Sequence, residues 1–296
     1  MSRWVRDYDA RRHLGGRAVR GFAAANEVSL FFLLTFIISW LPWYAGLGAE
    51  VLALGPSIAA ILIVALAGGK SGLARLLRPF IRWRARPVWW AVALFGVAVL
   101  YLAGLGINLV LGGEMPPFTM VREELRLLPH YLFIVVLAPW NGPVGEEIGW
   151  RGFALPRLQA SHGPLVASLI IGTFWGIWHL PSFFAPMGVL AAMKTALGIG
   201  FIVPYTATTI ANSIFMTWLY NKTGKSALIA GVIWHAATNF WAPVVLSDSS
   251  LVAAREGTQL PTIAPALYLS VAGVLAVAAV VLVVATKGRL GLKTRD

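Results

Sequence analysis

Ionisable side chains are concentrated in one apolar part of the chain, between residues 139 and 181. This stretch holds the adjacent carboxylates Glu146 and Glu147, then Arg151 and His179. Ionisable groups are costly inside a membrane, and those that occur there usually serve a function. The stretch therefore contains our first candidates for chemistry.

The spacing of the charged residues predicts that the two glutamates have different partners. On a helix, Glu147 and Arg151 stand at i and i+4 and share one face, while Glu146 is rotated by about 100° from its neighbour. Arg151 can therefore neutralise Glu147 and leave Glu146 pointing elsewhere. The sequence at 141–143, Asn-Gly-Pro, is a plausible helix start just before the pair. One Glu with one Arg could be a simple packing ion pair, but the second Glu has no such explanation.

A later apolar segment adds His235 and Asn239, which share a helix face at i and i+4. Such a polar pair is weak by itself, because interhelical hydrogen bonds commonly join membrane helices. A lone histidine such as His179 is also commonly a packed core residue. The whole set is what indicates a functional site, since two Glu, two His and one Asn fall on three different spans.

Hydrolysis of an amide bond is the chemistry that this set fits. A carboxylate and an imidazole can deprotonate a water, and a second imidazole and an amide can donate hydrogen bonds to the oxyanion. Other protease designs lack their residues. The sequence has no His-Glu-x-x-His, no Gly-x-Ser-x-Gly and no cysteine, and its four Asp residues are not placed for an intramembrane pair.

Composition predicts an all-α, polytopic membrane protein. Hydrophobic residues make up 58% of the chain and charged residues only 12%, against about 25% in soluble proteins. We expect about eight transmembrane helices in a single membrane domain at 28–286, with the motif core at 131–246. A basic N-terminal arm at 1–27 and a tail at 287–296 flank this domain.

The eight expected spans each approach the roughly 20 residues that a bilayer core requires. The expected ranges are 28–47, 51–67, 88–111, a fourth from 131 through a proline-rich interruption to the Glu pair, 164–184, one within 195–220, 227–246 and 263–285. The connector at 68–87 has apolar residues at helical spacing among basic ones, which predicts an amphipathic helix on the membrane surface with a break at Pro79. The alternative for this connector is a solvated basic loop.

The basic residues predict the topology. With the N-terminus in the cytosol, 20 of the 24 Lys and Arg fall in cytosolic segments. We therefore expect an integral protein of the cell (inner) membrane with both termini cytosolic and the Glu pair towards the cytosolic leaflet. The formal net charge of +12 fits contact with anionic membrane lipids better than binding of nucleic acid.

These motifs resemble a known family. Glu-Glu-x-x-x-Arg at 146–151, aromatic-x-x-x-His at 175–179 and His-x-x-x-Asn at 235–239 are similar to those of the CAAX prenyl protease and bacteriocin-processing family, which includes type II CAAX prenyl endopeptidases and lysostaphin resistance protein A-like proteins. One departure is visible, because Trp175 stands where the family motif has Phe. The resemblance implies an eight-helix intramembrane endopeptidase whose site opens towards the cytosol.

The resemblance also implies roles for the site residues. Glu146 and His179 would activate the attacking water, and His235 with Asn239 would stabilise the oxyanion. The pair of Glu147 and Arg151 would support them.

Two questions stay open at the level of sequence. The first is the cofactor, since none is needed if Glu146 acts as a base, whereas Glu146, His179 and His235 could instead be ligands of Zn²⁺. The second is whether the chain is catalytically active, because a catalytically inactive membrane scaffold or immunity protein of the same fold is the alternative. The expected partners of an active protease are membrane lipids and a peptide or protein with a membrane-associated segment. A small transporter is a third reading, although it predicts a repeat between halves that the sequence lacks.

Overall fold

The structure is a computed structural model that describes residues 26–47, 51–116, 118, 142–184, 189–246 and 264–292. Four of our expectations lie wholly or partly outside these residues. They are the N-terminal arm, most of the connection between the third and fourth expected spans, the beginning of the fourth span and the last residues of the tail.

The described residues form helices and no strands, which confirms the all-α prediction. Seven helical segments among them are long and apolar enough to cross a membrane. The α-helices are α1 (Glu27–Tyr44), α2 (Gly55–Leu77), α3 (Pro87–Val110), α4 (Pro143–Glu147), α5 (Leu155–Trp178), α6 (Val189–Leu197), α7 (Ile202–Lys222), α8 (Trp234–Leu246) and α9 (Pro265–Ala285). Two π-helical segments, Ile148–Ala154 and Leu228–Ile233, precede α5 and α8, and short 3₁₀ turns lie at Arg78–Ile81, Leu180–Phe184 and Ile199–Phe201.

Proline sets the beginning of several helices, because its fixed φ suits the first turn and its missing N–H is not needed there. The predicted start before the Glu pair is found in the structure. Helix α4 begins at Pro143, directly after Gly142, while Asn141 lies outside the described residues. Pro87 and Pro265 occupy the equivalent positions in α3 and α9.

The basic connector folds differently from a simple surface helix. Helix α2 continues past the expected end of the second span and bends at Gly69, whose φ of 56° an L side chain rarely adopts. After the bend the chain returns onto the span, since a Cβ at Gly72 would lie 2.9 Å from Val64 Cγ1. The helix gives way to a 3₁₀ turn at Arg78, so the break expected at Pro79 is present.

Close packing of α5 against α7 positions the second half of α5. A Cβ added at Gly172 would lie 2.5 Å from Ile210 Cα, and one at Gly176 would lie 2.8 Å from Thr209 Oγ1. The Thr209 hydroxyl donates a hydrogen bond of 2.8 Å to the carbonyl of Gly172. Small residues four apart let membrane helices approach in this way, and here they fix the helix that ends at His179.

Basic segments meet at one end of the bundle. Arg82, which follows α2, donates to the carbonyl of Gly224 beyond α7, at 2.9 Å. Asn221, near the end of α7, donates to the carbonyl of Leu290 beyond α9, at 3.0 Å. Three connectors that we expect in the cytosol therefore lie together.

Candidate active site

The Glu pair lies on the short helix α4, which rests on the beginning of α2. The Ser57 hydroxyl donates a hydrogen bond to the carbonyl of Gly145, directly before the pair. Just after the pair, a Cβ at Gly149 would come within 2.5 Å of Pro56 Cβ. These contacts hold the backbone on both sides of the carboxylates.

Glu147 joins two cationic or polar partners in the interior. Its Oε1 lies 3.0 Å from Arg151 Nη1, so the expected ion pair is present, and both side chains are fully buried. The same oxygen lies 2.9 Å from His235 Nδ1, on α8. The sequence did not predict this second contact, which joins residues 88 positions apart.

Arg151 is enclosed by apolar and aromatic groups as well as by its carboxylate. Its Nη2 lies 2.8 Å from the Met216 sulfur on α7, and its guanidinium carbon lies 5.0 Å from the centre of a Trp175 ring. Arginine over an indole face is a favourable cation–π arrangement. The positive charge of Arg151 is therefore stabilised by the Glu147 carboxylate, with the polarisable Met216 sulfur and Trp175 ring beside it.

The second π-helical segment passes directly over Glu147. A Cβ at Gly231 would lie 3.0 Å from Glu147 Oε2, so a larger residue there would press on the carboxylate. Both π-helical segments border the site, one after Glu147 and one before His235. Such segments often occur at functional sites.

Glu146 points away from Arg151, as the helical rotation predicted. Its Oε1 lies 4.0 Å from His235 Nε2, and its Oε2 accepts a hydrogen bond of 2.8 Å from Trp175 Nε1. The side chain is buried. Oε1 therefore faces the imidazole across a gap that a water molecule could bridge.

His179 ends α5 and is fixed by its own helix. Its Nδ1 lies 2.9 Å from the carbonyl oxygen of Trp175, one turn earlier. Its ring stands edge-on to that of Tyr205 on α7, with centroids 5.4 Å apart. The ring is half-buried, which leaves part of it accessible.

The hydrogen bonds define the tautomers of both histidines. A carbonyl oxygen and an ionised carboxylate only accept, so Nδ1 carries the proton in His179 and in His235. In their neutral forms both rings then offer a lone pair at Nε2. Both can accept a proton there.

Asn239 makes no contact with the other candidates in the part of the chain that the structure describes. It lies one turn beyond His235 on α8, its side chain is exposed, and no described residue forms a hydrogen bond with it. The other five candidates meet, four of them directly and His179 through the backbone of Trp175.

Trp175 is the residue of this site that the sequence reasoning missed. Its indole donates to Glu146 and stands edge-on to the His235 ring at 5.0 Å. The signal was the place of Trp175 in the second motif, where we noted only an exchange of aromatic residues.

The histidine geometry also bears on the zinc alternative. Imidazoles that donate from Nδ1 and leave Nε2 free are typical of metal ligands. Zinc needs at least three such donors about 2 Å from one point, and no three His, Cys, Asp or Glu side chains within the described part of the chain are grouped so as to hold a metal ion.

Fold and site together define an all-α integral membrane protein with a buried cluster of carboxylate, imidazole and guanidinium groups. A family model, "Type II CAAX prenyl endopeptidase Rce1-like", matches residues 127–241. The chain is also 27% identical to CAAX prenyl protease 2 of Methanococcus maripaludis over 232 residues, which is 71% of this chain and 82% of that protein. These likenesses support the family that the motifs indicated, the CAAX prenyl protease and bacteriocin-processing family, and a membrane-embedded protease of that type.

Proposed function

We propose that the chain hydrolyses a peptide bond of a membrane-associated substrate at Glu146. The observation that carries the proposal is the row Glu147–His235–Glu146, in which one carboxylate orients the imidazole and the imidazole faces the second carboxylate. Glu146 is thereby placed as a buried base, and the imidazole of His235 is held facing the same space beside it.

Glu146 and His179 activate the attacking water in this proposal. The water gives its proton to Glu146 while its oxygen bonds to the scissile carbonyl carbon, and the carbonyl oxygen takes the negative charge. Glu146 then returns the proton to the leaving nitrogen as the carbon–nitrogen bond breaks. The free Nε2 of His179, at the half-buried end of α5, supports its part in holding the water.

His235 and Asn239 are the proposed oxyanion donors. With Nδ1 directed to Glu147, the His235 Nε2 is the atom that faces Glu146, and when it carries a proton it can donate a hydrogen bond to the oxyanion. The exposed amide of Asn239, on the same helix, has no described partner and is available to a substrate. One row of groups can thus serve both proton transfer and charge stabilisation.

A lipidated C-terminal peptide of the CAAX type is the first substrate to test, because the named relative is a CAAX prenyl protease. The panel should hold an internally quenched farnesylated CAAX peptide, its unlipidated form and a peptide with a juxtamembrane cleavage site. Cleavage of only the third peptide would retain the protease and redirect the substrate class.

Replacing the water-activating residues tests the mechanism. We expect Glu146→Ala and His179→Ala to lower the turnover of the cleaved peptide by about 100-fold or more, the size of a lost general base. Glu27→Ala is the matched control, because Glu27 is a half-exposed carboxylate bonded to Arg157 away from the site. Normal turnover by either site variant, in protein that elutes as a folded monodisperse species, would refute the assignment.

The zinc alternative is tested in the same preparation. From the placement of the donors we expect metal analysis to find less than one equivalent, and a chelator to leave turnover unchanged. Stoichiometric zinc whose removal abolishes turnover would contradict the metal-free mechanism. Absence of cleavage across the panel would favour the inactive scaffold.

A further inference from the structure

We infer that Trp175 is a positioning residue that holds the Glu146 carboxylate in its working orientation, an inference that rests on the proposed function. The indole N–H lies 2.8 Å from Glu146 Oε2 and, among the described residues, is the closest polar group to that carboxylate. Because Oε2 is bound by the indole, the other oxygen faces His235.

The indole is itself rigidly placed. Trp175 is 5% exposed, its ring lies beneath the Arg151 guanidinium at 5.0 Å, and it meets the His235 ring edge-on at 5.0 Å. Its backbone belongs to the part of α5 that Gly172 and Gly176 press against α7. A donor fixed on three sides costs little further ordering when it binds the carboxylate.

Trp175 also connects the two ends of the site. Its side chain binds Glu146, and its carbonyl accepts the proton of His179 Nδ1. One residue therefore sets the orientation of both groups that are proposed to activate the water. A phenylalanine at this position would keep an aromatic ring but could not donate a hydrogen bond to Glu146. The tryptophan in the second motif therefore gives the proposed base a hydrogen bond that phenylalanine cannot supply.

The test is Trp175→Phe, assayed on whichever peptide of the panel the wild type cleaves. We expect kcat to fall by about tenfold, the scale of one hydrogen bond to a charged acceptor, with KM within about twofold, because the indole N–H is already bound to Glu146. Trp241→Phe is the control, since its indole also loses a hydrogen bond, to the carbonyl of Leu94 at 3.1 Å, outside the site. Wild-type kcat in Trp175→Phe, or an equal fall in both variants, would overturn the inference.

A second measurement does not depend on turnover. A double-mutant cycle with Trp175→Phe and Glu146→Ala, followed by thermal unfolding in detergent, should show non-additive changes in Tm, because both substitutions remove the same hydrogen bond. Additive changes would overturn the inference even if no peptide is cleaved. A coupled pair in a chain that cleaves nothing would instead count against the proposed function alone.

Discussion

The Glu147–Arg151 pair illustrates what can be predicted at the scale of residues. The pair is local, four positions apart on one helix, so its spacing alone predicted the contact. The contacts of Glu147 with His235 and of Glu146 with Trp175 join different helices. A single sequence does not indicate which residues of two different helices face each other. The exposure of Asn239 escaped prediction for the same reason.

Removing Arg151 should destabilise the protein strongly. Arg151→Ala leaves Glu147 charged and buried without its cation, and breaking a buried pair in this way costs about 3–5 kcal/mol. Lower folded yield and lower Tm are the expected results. Arg157→Ala is the matched control, because the Arg157–Glu27 pair is about 30% exposed and such pairs contribute about 0–1 kcal/mol. Equal Tm for the two variants would show that Arg151 is not structurally important.

At the scale of elements, hydrophobic runs and prolines predicted most helices, whereas irregular backbone escaped prediction. The expected spans and observed helices agree closely for α3 and α9. The π-helical segments beside the site have no recognisable spacing in the sequence, and the close approach of Gly231 to Glu147 joins residues that are distant along the chain. The bend at Gly69 was also missed, since an isolated glycine in an apolar run is compatible with a straight helix.

The contact between α5 and α7 can be tested by adding a single methyl group. Gly172→Ala would place Cβ 2.5 Å from Ile210 Cα, so the helices must separate. We expect a loss of about 1–3 kcal/mol and lower turnover, because Trp175 and His179 move with α5. Gly273→Ala, on α9 with no atom within 4 Å of the added Cβ, should retain wild-type Tm and turnover. Unchanged Tm and turnover for Gly172→Ala would contradict this role of the close packing.

At the scale of the whole molecule, composition and motifs predicted the membrane bundle and the family. Orientation in the membrane remains a prediction from the distribution of Lys and Arg. The structure adds that Arg82, Gly224 and Leu290 lie near one another at one end of the bundle, which is the end that we expect in the cytosol. Arg82 lies shortly before the beginning of α3, and the loop that follows α3 starts at the far end of that helix.

Because the chain has no cysteine, single introduced thiols can report this orientation directly. We expect a membrane-impermeant maleimide to label Lys222→Cys and Arg289→Cys only when the cytosolic face is exposed, and Glu114→Cys only from the other face. All three positions are exposed in the structure, so the differences would reflect the membrane alone. The reverse pattern would invert the predicted topology.

The local nature of the Glu147–Arg151 pair has a consequence for biosynthesis. His235 and Met216, which contact Glu147 and Arg151 respectively, are translated at least 65 residues after Arg151. Until those helices emerge from the ribosome, the carboxylate can be neutralised only by the arginine one turn away. Because the two charges cancel, the nascent segment can enter the bilayer with little net charge before its remaining neighbours have been synthesised.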